Sequence, residues 1–294
     1  MRKIALLLLI VCLLIAADYG KPADDLREHR TCLTCGMDRQ KHRLSRMLLI
    51  YDGGSTGGTC SLRCTAVDMA AHREKTITRM LVADYATGKL VDAWKAVWVI
   101  GGAKTGIMTR RAKWAFEEKD AAAKFVREHG GKLAVYDEAM KAAFGDMAGD
   151  VTLPQTRKTP VYTKKNDVQT HPDCKYCGMD RRRFDFSRML VLQDDSSETG
   201  TCSIHCTALD RALNYEKPPR WIGVGDYGTR KLINARKAYW VIGGDRQGVM
   251  SIRGKWAFEK RKEAEEYTRD HGGQIHGFDA ALQATFEDMW EILR

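Results

Sequence analysis

Hydrophobic and polar positions along the chain alternate between short strand-like and helix-like patterns. Met47–Tyr51 is an apolar run that predicts a strand, and the Asp-Gly-Gly turn after it predicts a change of direction. The segment after Ser61 has helical spacing with Cys64 and Val67 on its apolar face, and serine is a favourable helix N-cap residue. The strand-like run Thr76–Val82 follows, so this stretch has a β-β-α-β order.

The same order occurs again farther along the chain. Lys89–Ile100 is rich in β-forming residues, and Asp120–His129 predicts an amphipathic helix with Ala123 and Val126 near one face. Gly130-Gly131 ends this helix as a left-handed C-cap would. The remaining predicted elements are the strands Lys113–Phe116 and Lys132–Tyr136 and the short helix Asp137–Met147. Mixed strands and helices with short connections predict an α+β fold.

The first half of the chain is repeated in the second at a constant offset of 142 positions, as from Cys32 to Cys174. We therefore predict a tandem duplication, with repeats at residues 31–147 and 173–294, each built of two β-β-α-β halves. Residues 148–172 are interpreted as a linker because they contain Pro154, Pro160 and Pro172 and little apolar content. The charged residues 18–30 show no clear structural pattern.

The N-terminus has the pattern of a secretory signal peptide, predicted to cover residues 1–17. Basic residues precede an apolar run from Ile4 to Ile15, and Ala16-Ala17 provides a small-residue cleavage site. Because valine precedes Cys12, we do not expect this cysteine to carry a lipid anchor. We expect an exported protein of the periplasm or cell envelope with no membrane span after signal removal. The formal net charge of +10 is spread along both repeats, and no nucleic-acid-binding motif is present.

The sulfur-containing residues are the positions most consistently preserved between the two repeats. Cys-x2-Cys-Gly-Met occurs near the start of each repeat, Cys-x3-Cys follows at the predicted helix start, and Gly-x-Met comes later. Thiolates and thioethers together form a soft donor set, which favours Cu(I) over hard cations. The candidate metal ligands are Cys32, Cys35, Met37, Cys60, Cys64 and Met108 in the first repeat and Cys174, Cys177, Met179, Cys202, Cys206 and Met250 in the second.

Three interpretations of the cysteines remain open from the sequence. The two pairs of a repeat can form a four-cysteine zinc site, can be joined by disulfides in an oxidising compartment, or can bind copper or serve as redox-active thiols. His205 lies between two of the cysteines, but its counterpart in the first repeat is Arg63, so it cannot belong to a shared site. The chain lacks the motifs of covalent haem attachment, phosphate-binding loops and nucleophile elbows, and we do not expect an enzyme.

The ordered motifs resemble those of the NosL family, which comprises exported copper chaperones linked to maturation of nitrous-oxide reductase. The resemblance rests on Cys-Gly-Met, the later Gly-x-Met, Trp-Ala-Phe and His-Gly-Gly, and it covers most of both repeats. It implies β-β-α-β halves similar to those of the organomercurial lyase MerB. It also implies Cu(I) ligation by Cys35, Met37 and Met108 and, in the copy, by Cys177, Met179 and Met250.

These observations predict an exported metallochaperone that binds Cu(I) in each repeat and delivers it to a copper-receiving protein. The resemblance suggests nitrous-oxide reductase or its assembly machinery as that partner. The rival hypotheses are a binding module stapled by structural zinc or disulfides, and a thiol-dependent oxidoreductase or lyase. Tight Cu(I) uptake by reduced thiols separates the first hypothesis from the second, and turnover identifies the third.

Overall fold

The computed structural model describes residues 24–151 and 167–294. The predicted signal peptide at residues 1–17 and the middle of the predicted linker lie outside these ranges. Residues 148–151 continue a helix of the first repeat, and residues 167–170 form a short helix before the second. No helix in the described part of the chain is both long enough and apolar enough to span a membrane.

The first half of repeat one is a four-stranded antiparallel sheet covered by one helix. The strand order is β2-β1-β3-β4, so the hairpin β1-β2 lies beside the strand that follows the helix. The elements in chain order are α1 Asp24–Glu28, β1 Met47–Tyr51, β2 Thr56–Thr59, α2 Leu62–Ala71, β3 Ile77–Ala83 and β4 Leu90–Asp92.

The second half of repeat one is a three-stranded antiparallel sheet with two helices. The strand order is β6-β5-β7, which again places the first strand of a hairpin beside the strand after a helix. The elements are β5 Val97–Ile100, β6 Lys113–Phe116, α3 Lys119–His129, β7 Lys132–Ala134 and α4 Tyr136–Val151. Gly130 caps α3 with φ of 74°, a conformation that disfavours other residues.

Repeat two has the same topology, with sheet orders β11-β10-β8-β9 and β13-β12-β14. Its elements are α5 Asp167–Thr170, β8 Met189–Leu192, β9 Glu198–Thr201, α6 Ile204–Leu213, β10 Trp221–Gly225, β11 Leu232–Asn234, β12 Tyr239–Gln247, β13 Arg253–Phe258, α7 Arg261–His271, β14 Gln274–His276 and α8 Phe278–Leu293. The predicted α+β duplication with two β-β-α-β halves in each repeat is therefore confirmed.

The two repeats share one hydrophobic core, which is built mainly from α2, α4, α6 and α8. Phe144 of α4 stacks on Trp290 of α8 with ring centroids 6.1 Å apart. Arg63, at the start of α2, donates a hydrogen bond of 3.2 Å to the carbonyl of Ala212, near the end of α6. The helices α2 and α6 therefore run in opposite directions, and their N-terminal ends lie at opposite ends of the contact.

A buried carboxylate in each repeat anchors the segment that carries the first cysteine pair. Asp25 of α1 accepts hydrogen bonds from the guanidinium groups of Arg39 and Arg46. All three side chains are almost fully buried. Asp167 of α5 makes the same contacts with Arg181 and Arg188. The absence of a clear pattern in residues 18–30 was therefore misleading, because Asp25 is fixed by residues 14 and 21 positions later.

Candidate metal centre

The first cysteine pair lies in a tight turn that directs both sulfurs to one side. The amide of Cys32 donates to the carbonyl of Met37 at 2.8 Å, and the amide of Gly36 donates to the carbonyl of Cys32 at 2.8 Å. Gly36 has φ of 74°, which a side chain would disfavour. The copy repeats this turn, with Gly178 at φ of 70°. Backbone hydrogen bonding thus fixes the Cys-x2-Cys-Gly-Met segment in both repeats.

The second cysteine pair lies at the start of a helix. Ser61 is the N-cap of α2, and its hydroxyl accepts a hydrogen bond from the amide of Cys64, as the sequence predicts. Ser203 has the same position before α6 but makes no side-chain cap. Its hydroxyl instead donates to the carbonyl of Val249 at 3.1 Å. The positive end of the helix stabilises thiolates at this position.

The structure brings all four cysteines of each repeat together. In each repeat the four Sγ atoms lie within 4.8 Å of one another. In repeat one, the Sγ atom of Cys60 is 3.6 Å from those of both Cys35 and Cys64. In repeat two the sulfurs of Cys177, Cys202 and Cys206 form a triangle with sides of 3.5, 3.8 and 3.7 Å.

In the structure these separations show no disulfide bond, and they fit a metal site. A disulfide bond is about 2.05 Å long, whereas all eight described cysteines are free thiols in the structure. A tetrahedral ion with metal–sulfur bonds of about 2.3 Å gives sulfur–sulfur edges of about 3.8 Å. Three-coordinate Cu(I) with similar bond lengths gives edges of almost the same length. The cage is therefore the right size for a metal ion, and its dimensions alone do not choose between zinc and copper.

The centre has a closed side and an open side. Cys32, Cys60 and Cys64 are at most 2 % exposed, whereas Cys35 is only partly buried. The predicted ligands Met37 and Met108 are partly buried and pack against the cysteine cluster. In the copy Met179 and Met250 do the same, together with the rings of Tyr176 and Phe184. Each centre thus gathers all six sulfur-containing residues that the sequence analysis assigned to it.

The crowding of four thiols shifts their pKa values in opposite directions. Hydrogen bonds from Cys35 and then from Cys60 and Cys64 lower the pKa of Cys32, while hydrogen bonds with Cys32 and Cys35 raise the pKa of Cys60 and Cys64. The pKa of Cys177 is lowered to about 7; the bond with Cys174 raises it, but those with Cys202 and Cys206 lower it more. Four thiolates repel one another, so binding of a cation is expected to release protons.

His205 lies outside the four-sulfur group, as expected from its counterpart Arg63. Its imidazole is 3 % exposed, and burial lowers its pKa to about 4, so the ring is neutral at neutral pH. Both residues contact the other repeat: Arg63 donates a hydrogen bond to the carbonyl of Ala212, and His205 lies beside Ala70 and Arg73. The replacement of Arg63 by His205 in the copy therefore affects contacts at the interface between the repeats.

The sequence analysis missed two groups of residues that support the centre. Tyr176, inside the second Cys-x2-Cys, donates a hydrogen bond of 2.6 Å to Asp210 of α6. Near Met108 and Met250, a buried lysine pairs with an aspartate of the last helix: Lys113 with Asp146, and Lys255 with Asp288. The second group was detectable in principle, because both of its residues recur at the same offset of 142 as the cysteines.

Comparison with known proteins identifies two matching regions. The family model described as NosL matches residues 22–144 and residues 165–285. No curated protein matches the chain. Among solved structures, the chain is similar to one described as the copper chaperone NosL from Shewanella denitrificans, at 23% sequence identity and a TM-score of 0.33. That match covers 41% of this chain and 95% of the other.

Proposed function

The chain belongs to the NosL family, and we propose that it is an exported metallochaperone that binds Cu(I) in each repeat and passes it to a copper-receiving protein. The observation that carries this proposal is the packing of two methionines against four cysteine thiols in each repeat. Thioethers are soft ligands suited to Cu(I), and structural zinc sites do not use them.

Delivery of an ion requires that an acceptor reach it. Cys35, Met37 and Met108 are the partly exposed ligands of the first centre, while the other three cysteines form its buried base. An acceptor thiol or thioether can therefore replace ligands one at a time from this side, without unfolding the repeat. Binding and release of this kind need no catalytic turnover, and we propose that the protein is not an enzyme.

The N-terminal sequence and the family support a proposal for the compartment and the partner. The predicted signal peptide supports export to the periplasm or cell envelope. Family membership, together with the description of the similar solved structure as a copper chaperone, supports a copper enzyme such as nitrous-oxide reductase, or its assembly machinery, as the acceptor.

A structural zinc centre is the second candidate function. It is favoured by the four cysteines themselves, whose sulfur separations fit a closed tetrahedral site in each repeat. In that case the methionines are packing residues, and the protein is a zinc-stabilised binding module that does not carry metal.

Replacement of the methionines separates the two functions. We would compare the wild-type chain with a Met37→Leu/Met179→Leu variant, measuring Cu(I) affinity by competition with a coloured chelator and Co(II) affinity at the thiols by absorption. A copper carrier predicts weaker Cu(I) binding in the variant and unchanged Co(II) binding. Equal Cu(I) affinities in the two proteins, with zinc present after purification, would establish the zinc module instead.

A further inference from the structure

Met108 and Met250 have a backbone conformation that is unfavourable for methionine. Their φ angles are 62° and 61°, in the left-handed region. Within the described residues only four non-glycine positions have positive φ, and two of them are these corresponding methionines. A non-glycine residue held there is strained and persists only where the surroundings enforce that conformation. We define the methionine loops as residues 106–111 and 248–253.

A buried ion pair lies directly beneath each methionine loop. The Nζ atom of Lys113, which begins β6, is 2.5 Å from Oδ2 of Asp146 in α4. In the second repeat, Nζ of Lys255 is 2.6 Å from Oδ2 of Asp288 in α8. The lysine side chains are only 2% and 1% exposed. A buried ion pair is weak evidence for stability, because desolvation offsets much of its attraction. Its presence in both repeats therefore calls for another explanation.

Both partners of the ion pair also bind the methionine loop. Nζ of Lys255 donates to Oγ of Ser251 at 3.2 Å and to the carbonyl of Arg253 at 3.1 Å. Asp288 accepts hydrogen bonds from the backbone amide of Arg253 at 3.0 Å and from its Nε at 2.6 Å. These contacts fix the residues immediately after Met250 and leave the loop little freedom to relax its strained φ.

The first repeat holds its loop with equivalent residues. Nζ of Lys113 is 3.5 Å from Oγ1 of Thr109, the residue after Met108. Asp146 accepts two hydrogen bonds from the guanidinium of Arg111, at 3.0 and 2.7 Å. The anchor therefore recurs with the same lysine, aspartate and arginine, although the two loop sequences differ elsewhere.

In the second repeat a hydrogen bond also ties the loop to the cysteine cluster on its other side. The hydroxyl of Ser203, next to Cys202, donates to the carbonyl of Val249, next to Met250. Each methionine packs against the thiols of its own repeat. The loop thus lies between a rigid ion pair and the sulfur cage, with its thioether on the cage side.

We propose that the Lys113–Asp146 and Lys255–Asp288 pairs are positioning residues that hold the strained methionine loops so that the thioethers of Met108 and Met250 are presented to Cu(I). The proposal rests on the proposed copper function. Its consequence is selectivity: the anchors strengthen Cu(I) binding, which uses the thioether, and leave binding of a divalent ion by the four thiols unchanged. Groups that orient metal ligands typically contribute about 10- to 100-fold to metal affinity.

A double-mutant cycle on the full-length mature chain tests this proposal. The four proteins are the wild type, Met108→Leu/Met250→Leu, Asp146→Asn/Asp288→Asn and the combination of all four changes. We expect the asparagine variant to bind Cu(I) about tenfold more weakly and Co(II) with unchanged affinity. We also expect the leucine changes to weaken Cu(I) binding in the wild-type background and to have almost no effect in the asparagine background.

The outcomes separate failure of this inference from failure of the proposed function. Equal effects of the leucine changes in both backgrounds, or a parallel loss of Co(II) affinity, would overturn the positioning role. No effect of the leucine changes on the wild type would instead remove these methionines from the copper site and overturn both. Should the asparagine variant not fold, Thr109→Ala/Ser251→Ala removes the loop hydroxyls but leaves the ion pairs intact, and the same criteria apply to it.

Discussion

Replacement of Asp167 by asparagine is expected to destabilise the protein by about 3–5 kcal/mol, the range for breaking a buried ion pair by removing one partner. Asp167 is 3% exposed and accepts hydrogen bonds from Arg181 at 2.7 Å and from Arg188 at 3.0 Å. Asparagine keeps the size of the side chain but leaves two buried guanidinium groups without a countercharge. The loss is large against a typical total stability of roughly 5–15 kcal/mol.

The effect of this substitution also depends on pH in a defined direction. Burial raises the pKa of Asp167, but its hydrogen bonds and attraction to Arg188 and Arg181 lower it more, so its pKa lies below the usual value. A carboxylate with a lowered pKa contributes stability above its unfolded-state pKa and loses it as the pH falls through the folded-state value. The stability difference between wild type and variant should therefore be full at neutral pH and shrink in acid.

Urea denaturation followed by circular dichroism, at pH 7 and at several acidic pH values, measures this difference. The matched control is Glu265→Gln, which removes an exposed ion pair with Arg261 on α7 and should leave the stability almost unchanged. A loss below about 1 kcal/mol for the Asp167 variant, or a difference that grows in acid, would refute the reasoning.

Three further substitutions test separate parts of the account by the same denaturation assay. Because Met108 has positive φ, Met108→Gly should be about 1 kcal/mol more stable than Met108→Ala, the reverse of the usual order; a more stable alanine variant would contradict the strain. Phe144→Ala should cost about 3–5 kcal/mol and shift a single unfolding transition, since Phe144 stacks on Trp290 of the other repeat; two separated transitions would contradict the shared core. Tyr51→Phe should cost about 1–3 kcal/mol by removing the 2.7 Å hydrogen bond to buried Asp68; a neutral result would show that Asp68 finds another donor.

Strands and helix ends were predicted well where a single local sequence pattern determined them. The strands Met47–Tyr51 and Lys113–Phe116 have the predicted bounds, and Ser61 caps its helix. Lys89–Ile100 was interpreted as one β segment, whereas the structure divides it into β4 and β5, which belong to different sheets. Both parts are rich in β-forming residues, so composition could not locate the break between them.

Orientation of helices and the partners of charged residues depended on distant contacts. In α3 the structure buries Ala122 and Phe125 most deeply, while Val126, predicted to lie near the apolar face, is partly buried and packs against the same cluster. Phe125 decides the orientation because its ring packs on Tyr85, with centroids 4.9 Å apart. The final helix of repeat one continues to Val151, four residues beyond its predicted end and into the segment interpreted as a linker.

The sulfur-containing residues of the candidate site were easier to predict from the sequence than the residues that hold the site in place. Duplication of the cysteines and methionines at one offset identified all six sulfur residues that each centre gathers. Spacing alone could not show that the thiols are free, because close cysteine pairs suit disulfides and metal equally well. Nor could it reveal Asp25 as the partner of Arg39 and Arg46, since charged residues in a polar segment usually face solvent. The domain boundaries stay a prediction.

The most direct test of the central claim is an anaerobic count of Cu(I) equivalents bound by the mature protein, with free thiols counted beforehand. We predict eight free thiols and two tightly bound equivalents, one for each centre. Cys35→Ser and Cys177→Ser should each impair one centre and leave the other intact. Failure of the reduced protein to compete with the chelator for Cu(I), or uptake that is insensitive to both substitutions, would contradict the proposal that each repeat carries copper.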